Sequence, residues 1–350
     1  MEDIFQIISK IEDHETKRYL STIIHVEGSA YRKEGAALLI EEAGTLTGVL
    51  SAGCLEQDLV ERVKGMGNKN ESISICYDMR SVDDLNWGQG AGCNGVLYVL
   101  LEPITERFKC DLFNLKSQLD QGIPVTVIKK LTNSLKASDY LFISKQGDIF
   151  GSWNDRIPVD FIHSSQLMKP SGLYYSEELA SLVYIHCYSP KPRLFIFGAG
   201  DDVKPLHMFA SKTGFSVIIS DWREGLCTIS NFPYAESLLY GNPSQIIDDI
   251  NFRPQDSVVV MTHQFEKDKE ILELLKTKRN IVYFGVLGSR LRTRRLLNHV
   301  DIPEWISTPV GLDIGAEGPE EIAISILAEI IQTLRKNKNH RVESSWKEKE

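Results

Sequence analysis

The sequence lacks the features that direct a chain to a membrane, to secretion or to nucleic acid. No apolar run reaches the ~18 residues that a membrane span requires. Two acids, Glu2 and Asp3, stand where a secretory signal needs positive charge before an apolar run. The formal net charge is −9, whereas nucleic-acid binders usually carry a basic surplus. We therefore expect a cytoplasmic protein with no membrane or nucleic-acid partner.

Cysteine is scarce, and its spacing matches no familiar metal or disulfide framework. The 350 residues contain 6 cysteines. No two form a C-x-x-C pair, and none stands at zinc-ligand spacing with histidine. In a cytoplasmic chain we expect reduced thiols, most of them buried as small apolar fillers. Cys54 and Cys93 differ because each lies in a glycine-containing loop.

The order of predicted elements indicates an α/β protein with a mixed α/β N-terminal domain and a Rossmann-like, doubly wound parallel-sheet domain. Apolar residues make up 42 % and charged residues 25 %, as in ordinary globular proteins. An apolar stripe predicts an amphipathic helix over residues 1–20. Pro190 and Pro192 make a stiff connector. We predict an N-terminal domain over 1–105, a middle or connecting region over 106–190, the Rossmann-like domain over 191–335 and a charged, frayed tail over 336–350.

A glycine turn is the main candidate for ligand binding in the second domain. Gly198 and Gly200 follow a predicted strand over 193–197 and precede a helix. Glycines allow close backbone approach to a phosphate, and the helix N-terminus supplies free N–H groups. Asp221 ends the next strand, where an acid can bond a ribose hydroxyl. The third glycine of G-x-G-x-x-G is absent and two aspartates follow Gly200, so a plain strand–turn–helix connection is the alternative.

Other predicted strands of this domain end at the same edge of the sheet. Ligands of such sheets bind beyond the carboxyl ends of the strands. His263 is a ligand contact or a structural cap, and Ser289 can cap the helix that follows it. We favour Arg290 as a phosphate-binding residue and expect the other arginines of that helix at the surface. Asp313 and Gly315 line the cleft or serve only the turn. The arginines expected at the surface are Arg292, Arg294 and Arg295.

The loops around Cys54 and Cys93 are the candidate sites of the first domain. Cys54 follows Gly53 at the start of a predicted helix, where a thiolate is stabilised, although the nearby Glu56 opposes that effect. Cys93 follows Gly92 in a glycine-dense loop that permits close approach to a ligand. Two such thiols suit a soft ligand such as molybdenum-bound sulfur. The alternative is that both are ordinary buried cysteines.

Several motifs, in this order along the chain, resemble the XdhC/CoxI family of molybdenum-cofactor maturation factors. The N-terminal motifs are GSAYRKEGA at 28–36, GVLSAGCLE at 48–56 and GAGCNG at 90–95. The C-terminal motifs are FGAG at 197–200, DWR at 221–223, TH at 262–263, GSR at 288–290 and PVGLDIGA at 309–316, followed by PEEIA at 319–323. Motifs from both ends of the chain therefore contribute to the resemblance.

The resemblance implies a protein that binds the molybdenum cofactor, holds it during sulfuration by a cysteine desulfurase and passes it to apo xanthine dehydrogenase or a related molybdoenzyme. Cys54 and Cys93 are then the thiols near the metal, and Arg290 and the glycine loops hold the pterin phosphate. The positions carried over as cofactor-binding are Arg32, Gly53, Cys54, Glu56, Gly92, Cys93, Gly198, Gly200, Asp221, Arg223, His263, Ser289, Arg290, Asp313 and Gly315.

Two other functions remain open from the sequence. An NAD(P)-dependent oxidoreductase would use Gly198, Gly200 and Asp221, but the sequence offers no identifiable proton-transfer group for it. A non-catalytic protein that senses NAD(P) or another nucleotide would use the same residues. A homodimer is compatible with either function, although the sequence identifies no interface.

Overall fold

The computed structural model describes residues 4–11, 16–51, 53–67, 70–80, 94–158, 161–162, 170–278 and 280–347. Within these residues the chain forms two compact units, and the boundary falls between Pro190 and Lys191. No helix in the described ranges is both long enough and apolar enough to cross a membrane.

The first unit begins with a five-stranded antiparallel sheet. Its strand order is β3-β2-β1-β5-β4. Leu20 and Ile24 of β1 pack on one face, whereas Tyr19 and Ile23 pack on the other, because successive side chains of a strand alternate. The elements are α1 (Ile4–Lys10), β1 (Arg18–Ser29), β2 (Ala37–Glu41), β3 (Leu46–Gly48), α2 (Cys54–Met66), β4 (Ile73–Asp78) and β5 (Asn94–Pro103).

The predicted N-terminal helix over 1–20 is wrong in its length. The helix ends at Lys10, and the residues from Arg18 already belong to β1. Arg18 to Thr22 pair with the β2 segment from Ala37 to Glu41. The helically spaced Ile4, Ile7 and Ile8 do lie in α1. Sheet pairing and two-sided burial decide the conformation of the residues from Arg18 onwards.

The same unit contains a second antiparallel sheet, in the order β8-β7-β6-β10-β9. From the sequence, a helix is expected at about 109–121 and strands near 124–129 and 139–144, and the structure has all three. Three further strands, which are short or interrupted by polar residues, were not predicted. The elements are α3 (Glu106–Asp120), β6 (Val125–Leu131), β7 (Ala137–Ser144), β8 (Ile149–Ser152), β9 (Gly172–Ser176) and β10 (Ser181–Tyr188).

The second unit confirms the predicted parallel sheet with helices on both faces. Its order, β13-β12-β11-β14-β15-β16, is the strand order of the Rossmann fold. Short β13, short β16 and α5 were not predicted, and α8 extends as far as Lys347, into the region expected to form a frayed tail. The elements are β11 (Arg193–Phe197), α4 (Val203–Lys212), β12 (Ser216–Asp221), β13 (Ser237–Tyr240), α5 (Pro243–Asp249), β14 (Asp256–Val260), α6 (Phe265–Leu275), β15 (Ile281–Val286), α7 (Arg290–Leu296), β16 (Ile306–Ser307) and α8 (Pro319–Lys347).

Candidate functional site

The carboxyl ends of the parallel strands bring most of the predicted second-unit residues to one edge of the sheet. From β11 the chain adds β12 and β13 on one side, and then crosses to the other side to add β14, β15 and β16. The direction in which strands are added therefore reverses between β11 and β14. Such a reversal opens a crevice at which Rossmann-type folds bind their ligands. Gly198 follows β11, Asp221 ends β12 and His263 follows β14.

Gly198 is a glycine because two backbones approach each other closely at this edge. Its φ is 128°, and a Cβ at this position would lie 2.4 Å from the carbonyl oxygen of Met261. Its N–H donates to Ser220 O at 2.8 Å. The packing of β11 between β12 and β14 is thus sufficient to require glycine, independently of any ligand.

Asp221 is fully engaged by the protein itself. Its side chain is 0 % exposed. Ala199 N donates to Oδ2 at 2.8 Å, and Arg223 N donates to Oδ1 at 2.8 Å. The Arg223 guanidinium adds a bidentate pair at 2.9 and 2.8 Å, and this contact raises the pKa of Arg223. The acid expected to bind a ribose therefore organises the glycine turn and holds Arg223.

The start of α4 carries two acids at the place where a dinucleotide phosphate would lie. Asp201 is almost fully exposed and pairs with Lys204 at 2.7 Å. Asp202 Oδ2 lies 2.7 Å from His263 Nε2. Because phosphate and carboxylate repel each other, this turn is poorly suited to an anion despite the dipole of the helix.

His263 has an unusual backbone for a residue other than glycine. Its φ is 60°, and its side chain is 59 % exposed. Such conformations cost energy and cluster at functional sites. The conformation places the imidazole at the end of β14, opposite Asp202.

One arginine of α7 that was predicted to lie at the surface has a structural role instead. Arg290 is exposed, and its Nη1 lies 3.4 Å from Thr308 O. Arg292 was expected at the surface, but it is half-buried and binds the buried Asp268 at 2.5 Å. Asp268 also accepts from Thr262. Arg292 is therefore a structural ion-pair residue, which its place in an arginine-rich run concealed.

Ser289 fulfils its expected capping role, and the loop after β16 is held by an acid that the sequence did not single out. Ser289 Oγ accepts from Arg292 N at 3.2 Å. Glu329 of α8 accepts from Gly311 N at 2.8 Å and from the Tyr283 hydroxyl at 2.6 Å. Burial and this hydrogen bond raise the pKa of Tyr283. Glu329 has the spacing of an ordinary helix acid, so no sequence signal could have found it.

Asp313 and Gly315 lie in the exposed part of the same loop, and Gly315 has a φ of 70°. A cavity of about 510 Å³ lies between the strand ends and the first turns of α4 and α8. Glu317 directly follows the loop motif at 309–316, yet no sequence signal distinguished it from an ordinary surface acid. The rim of the cavity carries the charged or polar residues Asp201, Asp202, His263 and Glu317, and its apolar walls come from Leu206, Met261, Leu287, Pro319, Ile322, Ala323 and Ile326.

In the first unit a buried carboxylate organises the turn before Cys54. Glu56 is 7 % exposed and accepts from Leu50 N at 3.1 Å, from Ser51 N at 2.8 Å and from the Ser51 hydroxyl. Burial alone would raise the pKa of Glu56, but these hydrogen bonds outweigh it and lower that pKa. Gly53, with φ 112°, leads into α2, whose first residue is Cys54. Glu56 is thus a structural residue of the turn.

The remaining first-unit candidates are placed only in part. Arg32 is half-buried in the loop between β1 and β2. In the same loop, a Cβ on Gly35 would lie 2.3 Å from the ring of His186, so glycine lets the loop pass over that imidazole. Gly92 and Cys93 lie outside the described residues. Within the described ranges no group of three or more His, Cys, Asp or Glu side chains is placed to hold a metal.

The expectation of buried cysteines is wrong for two of the cysteines and only partly right for two others. Cys76 and Cys110 are exposed. Cys76 points outward on the edge strand β4, and Cys110 lies on the outer side of α3. Cys187 and Cys227 are half-buried, and burial raises the pKa of the Cys227 thiol.

The fold and the strand-end cleft define an α/β protein whose second unit is Rossmann-like. Residues 13–78 match the XdhC and CoxI family, residues 106–189 match the BH1974-like central domain, and residues 194–330 match the XdhC Rossmann domain. The chain belongs to the XdhC and CoxI family.

Two named relatives and one solved structure are similar to this chain over most of its length. The chain is 43 % identical over 326 residues to a probable xanthine dehydrogenase subunit of Bacillus subtilis strain 168, covering 93 % of this chain and 96 % of the relative. It is 22 % identical over 334 residues to the molybdenum cofactor insertion chaperone PaoD of Escherichia coli K12, covering 89 % and 81 %. A crystal structure of a xanthine dehydrogenase (BH1974) from Bacillus halodurans superposes with a TM-score of 0.86 at 42 % identity, covering 96 % of each chain.

Proposed function

We propose that this chain binds the molybdenum cofactor as a cargo, protects it during sulfuration and delivers it to apo xanthine dehydrogenase or a related molybdenum hydroxylase. The observation that carries the proposal is the match to a molybdenum cofactor insertion chaperone over 89 % of the chain, which includes both units. The relatives named for xanthine dehydrogenase point to the same class of client.

The chemistry of the first unit suits the metal end of the cargo. A thiolate is a soft ligand for molybdenum and its sulfur. Cys54 is the first residue of a 13-residue helix, where backbone N–H groups favour negative charge. The Glu56 carboxylate already receives three hydrogen bonds from Leu50 and Ser51, which offset its charge near the start of this helix. We propose Cys54 and Cys93 as the thiols near the metal.

The chemistry of the second unit suits the phosphate of the cargo at Arg290. This guanidinium is exposed, and its Nη1 contacts Thr308 O at 3.4 Å. A planar guanidinium can bind phosphate through two parallel N–H bonds. Asp201 and Asp202 make the Gly198–Gly200 turn a poorer phosphate site than the start of α7.

The partners of this function are a cysteine desulfurase, which supplies sulfur, and the apo molybdoenzyme that receives the cofactor. Both encounters would take place in the cytoplasm. A homodimer is compatible with this role. We propose these partners from the family resemblance.

The test is retention of molybdopterin by the purified, reduced chain after gel filtration. We expect about one molybdopterin per binding-competent chain, and a loss of at least about tenfold in affinity for Cys54→Ala or Cys93→Ala, as for a lost charge-assisted contact. Cys110→Ala is the matched control, because Cys110 is exposed on α3 outside both cysteine loops. Full retention by both loop variants would contradict the thiol assignment.

A second candidate is a dinucleotide-binding oxidoreductase or sensor, which the strand order of the second unit favours. The full engagement of Asp221 argues against it, because no ribose acceptor is left there. A parallel sample with NAD decides between the two functions. Tight NAD binding without retained molybdopterin would overturn the carrier function.

A further inference from the structure

The cavity between α4 and α8 combines apolar walls with one available carboxylate. Leu206 projects from α4, and Ile322, Ala323 and Ile326 project from α8. Met261 and Leu287 supply the strand-end side. A volume of about 510 Å³ is in the range of small-molecule pockets. Apolar walls of this kind favour the burial of an apolar or aromatic ligand surface.

The acids at the rim are not equivalent. Asp201 pairs with Lys204 and Asp202 pairs with His263. Across the described part of the chain, no side chain pairs with the carboxylate of Glu317, whose backbone N–H donates to Glu321 at 3.0 Å. Glu317 therefore offers two free oxygens beside an apolar cavity.

A carboxylate with both oxygens free is complementary to two parallel N–H donors on one ligand edge. The 2-amino group and the adjacent ring N–H of a 2-amino-4-oxopyrimidine present such a pair, and both pterin and guanine contain this ring. His263 is a second polar group at the cavity, and its Nε2 lies 2.7 Å from Asp202 Oδ2.

We propose that this cavity binds the 2-amino-4-oxopyrimidine edge of a pterin, with Glu317 as the residue that recognises it. The choice of a pterin as occupant rests on the proposed carrier function, whereas the recognition of this edge rests on the cavity alone. The two ends of the cargo would then contact side chains of opposite charge. The amino-bearing ring would contact the Glu317 carboxylate, and the phosphate would contact Arg290, which lies three residues after Leu287 in the sequence.

The test uses free pterin, which has neither phosphate nor metal, in a fluorescence titration of the full chain. Lumazine, in which oxygen replaces the 2-amino group, is the comparison ligand. We expect saturable pterin binding and lumazine binding at least about tenfold weaker, because the carboxylate would face an oxygen. Equal binding of the two ligands, or no saturable pterin binding, would overturn the assignment.

Variants identify the residue involved. Glu317→Gln should weaken pterin binding by about tenfold, because an amide accepts one bond where the carboxylate accepts two charge-assisted ones. Glu320→Gln is the matched control, since Glu320 is an exposed acid on the first turn of α8 that does not line the cavity. Unchanged affinity in Glu317→Gln would overturn the role of Glu317.

Two further arms separate the possible failures. Guanosine that binds while pterin does not would overturn pterin as the occupant and keep the recognition of the edge. If the chain retains molybdopterin but does not bind free pterin, the cavity assignment is overturned and the carrier function stands. Pterin binding by a chain that retains no molybdopterin would support the cavity and overturn the carrier function.

Discussion

Two strand–turn–helix connections, one in each unit, are each held by a buried carboxylate. The two carboxylates differ in how far along the sequence they lie from the turn that they hold. The turn before α2 is held by Glu56, which lies in the first turn of α2 and accepts from Leu50 and Ser51. The turn before α4 is held by Asp221, which reaches from the neighbouring strand to Ala199 N. In both, a buried carboxylate satisfies turn N–H groups that would otherwise be desolvated without partners.

The comparison shows how a turn can be fixed and still leave a site beside it. Acids that organise a turn are buried and fully bonded, as Glu56 and Asp221 are. Acids that can meet a ligand are exposed and incompletely paired, as Glu317 is. Burial and partners, rather than position after a strand, distinguish the two roles.

The largest expected effect tests the steric difference between the turns. Gly198 and Gly53 both have positive φ, but only Gly198 has backbone atoms where a Cβ would lie. Gly198→Ala should lower the free energy of unfolding by about 3–5 kcal/mol, through strain and overpacking together. Gly53→Ala should cost about 1–2 kcal/mol from strain alone. Scanning calorimetry of both variants measures the difference, and equal losses would refute the steric argument.

The next effect tests whether Asp221 belongs to the turn or to a ligand. Asp221→Asn weakens the bidentate Arg223 pair and places an amide donor near other donors, so we expect a loss of about 2–3 kcal/mol in the free energy of unfolding. Asp201→Asn, in the same connection but exposed, should change it by less than about 0.5 kcal/mol. Unfolding in urea checks both. A stable Asp221→Asn chain with weakened ligand binding would instead make Asp221 a ligand contact.

The sequence predicted the second unit well because alternating strands and helices leave few ways to form a parallel sheet. It predicted the positions of Gly198, Asp221 and His263 at one edge for the same reason. It could not assign their roles, because the contacts of Asp221 depend on side-chain rotamers. Glu317 and Glu329 were missed since an acid near a helix start, or within a helix, has many ordinary explanations.

The first unit was less predictable. Short strands such as β8 and β9 gain their stability from pairing with β7 and β10, from which each is separated by a short turn. Arg18 and Tyr19 lie within the range predicted as helical but belong to β1, because pairing with β2 decides their conformation. The periodicity of apolar residues within a segment does not show which other strand the segment pairs with.

The smallest expected effect is the dependence of stability on the charge of Glu56, the buried carboxylate of the first unit, and on pH. Glu56→Gln keeps the size of the side chain but loses the charge that three donors stabilise, so we expect a cost of about 1–2 kcal/mol at pH 7. The folded structure lowers the pKa of Glu56 from the ordinary value of 4.5. The folded chain therefore binds this proton less readily than the unfolded chain.

It follows that the stabilisation from Glu56 is complete above about pH 4.5 and disappears as the pH falls through the lower, folded-state pKa. The difference in unfolding free energy between the native chain and Glu56→Gln should narrow over that acidic range. Glu61→Gln on the same helix is the control, because Glu61 is 70 % exposed and should change stability by less than about 0.5 kcal/mol at either pH. A difference that widened towards acid would mean that the buried turn favours the protonated acid, and the parallel with Asp221 would fail.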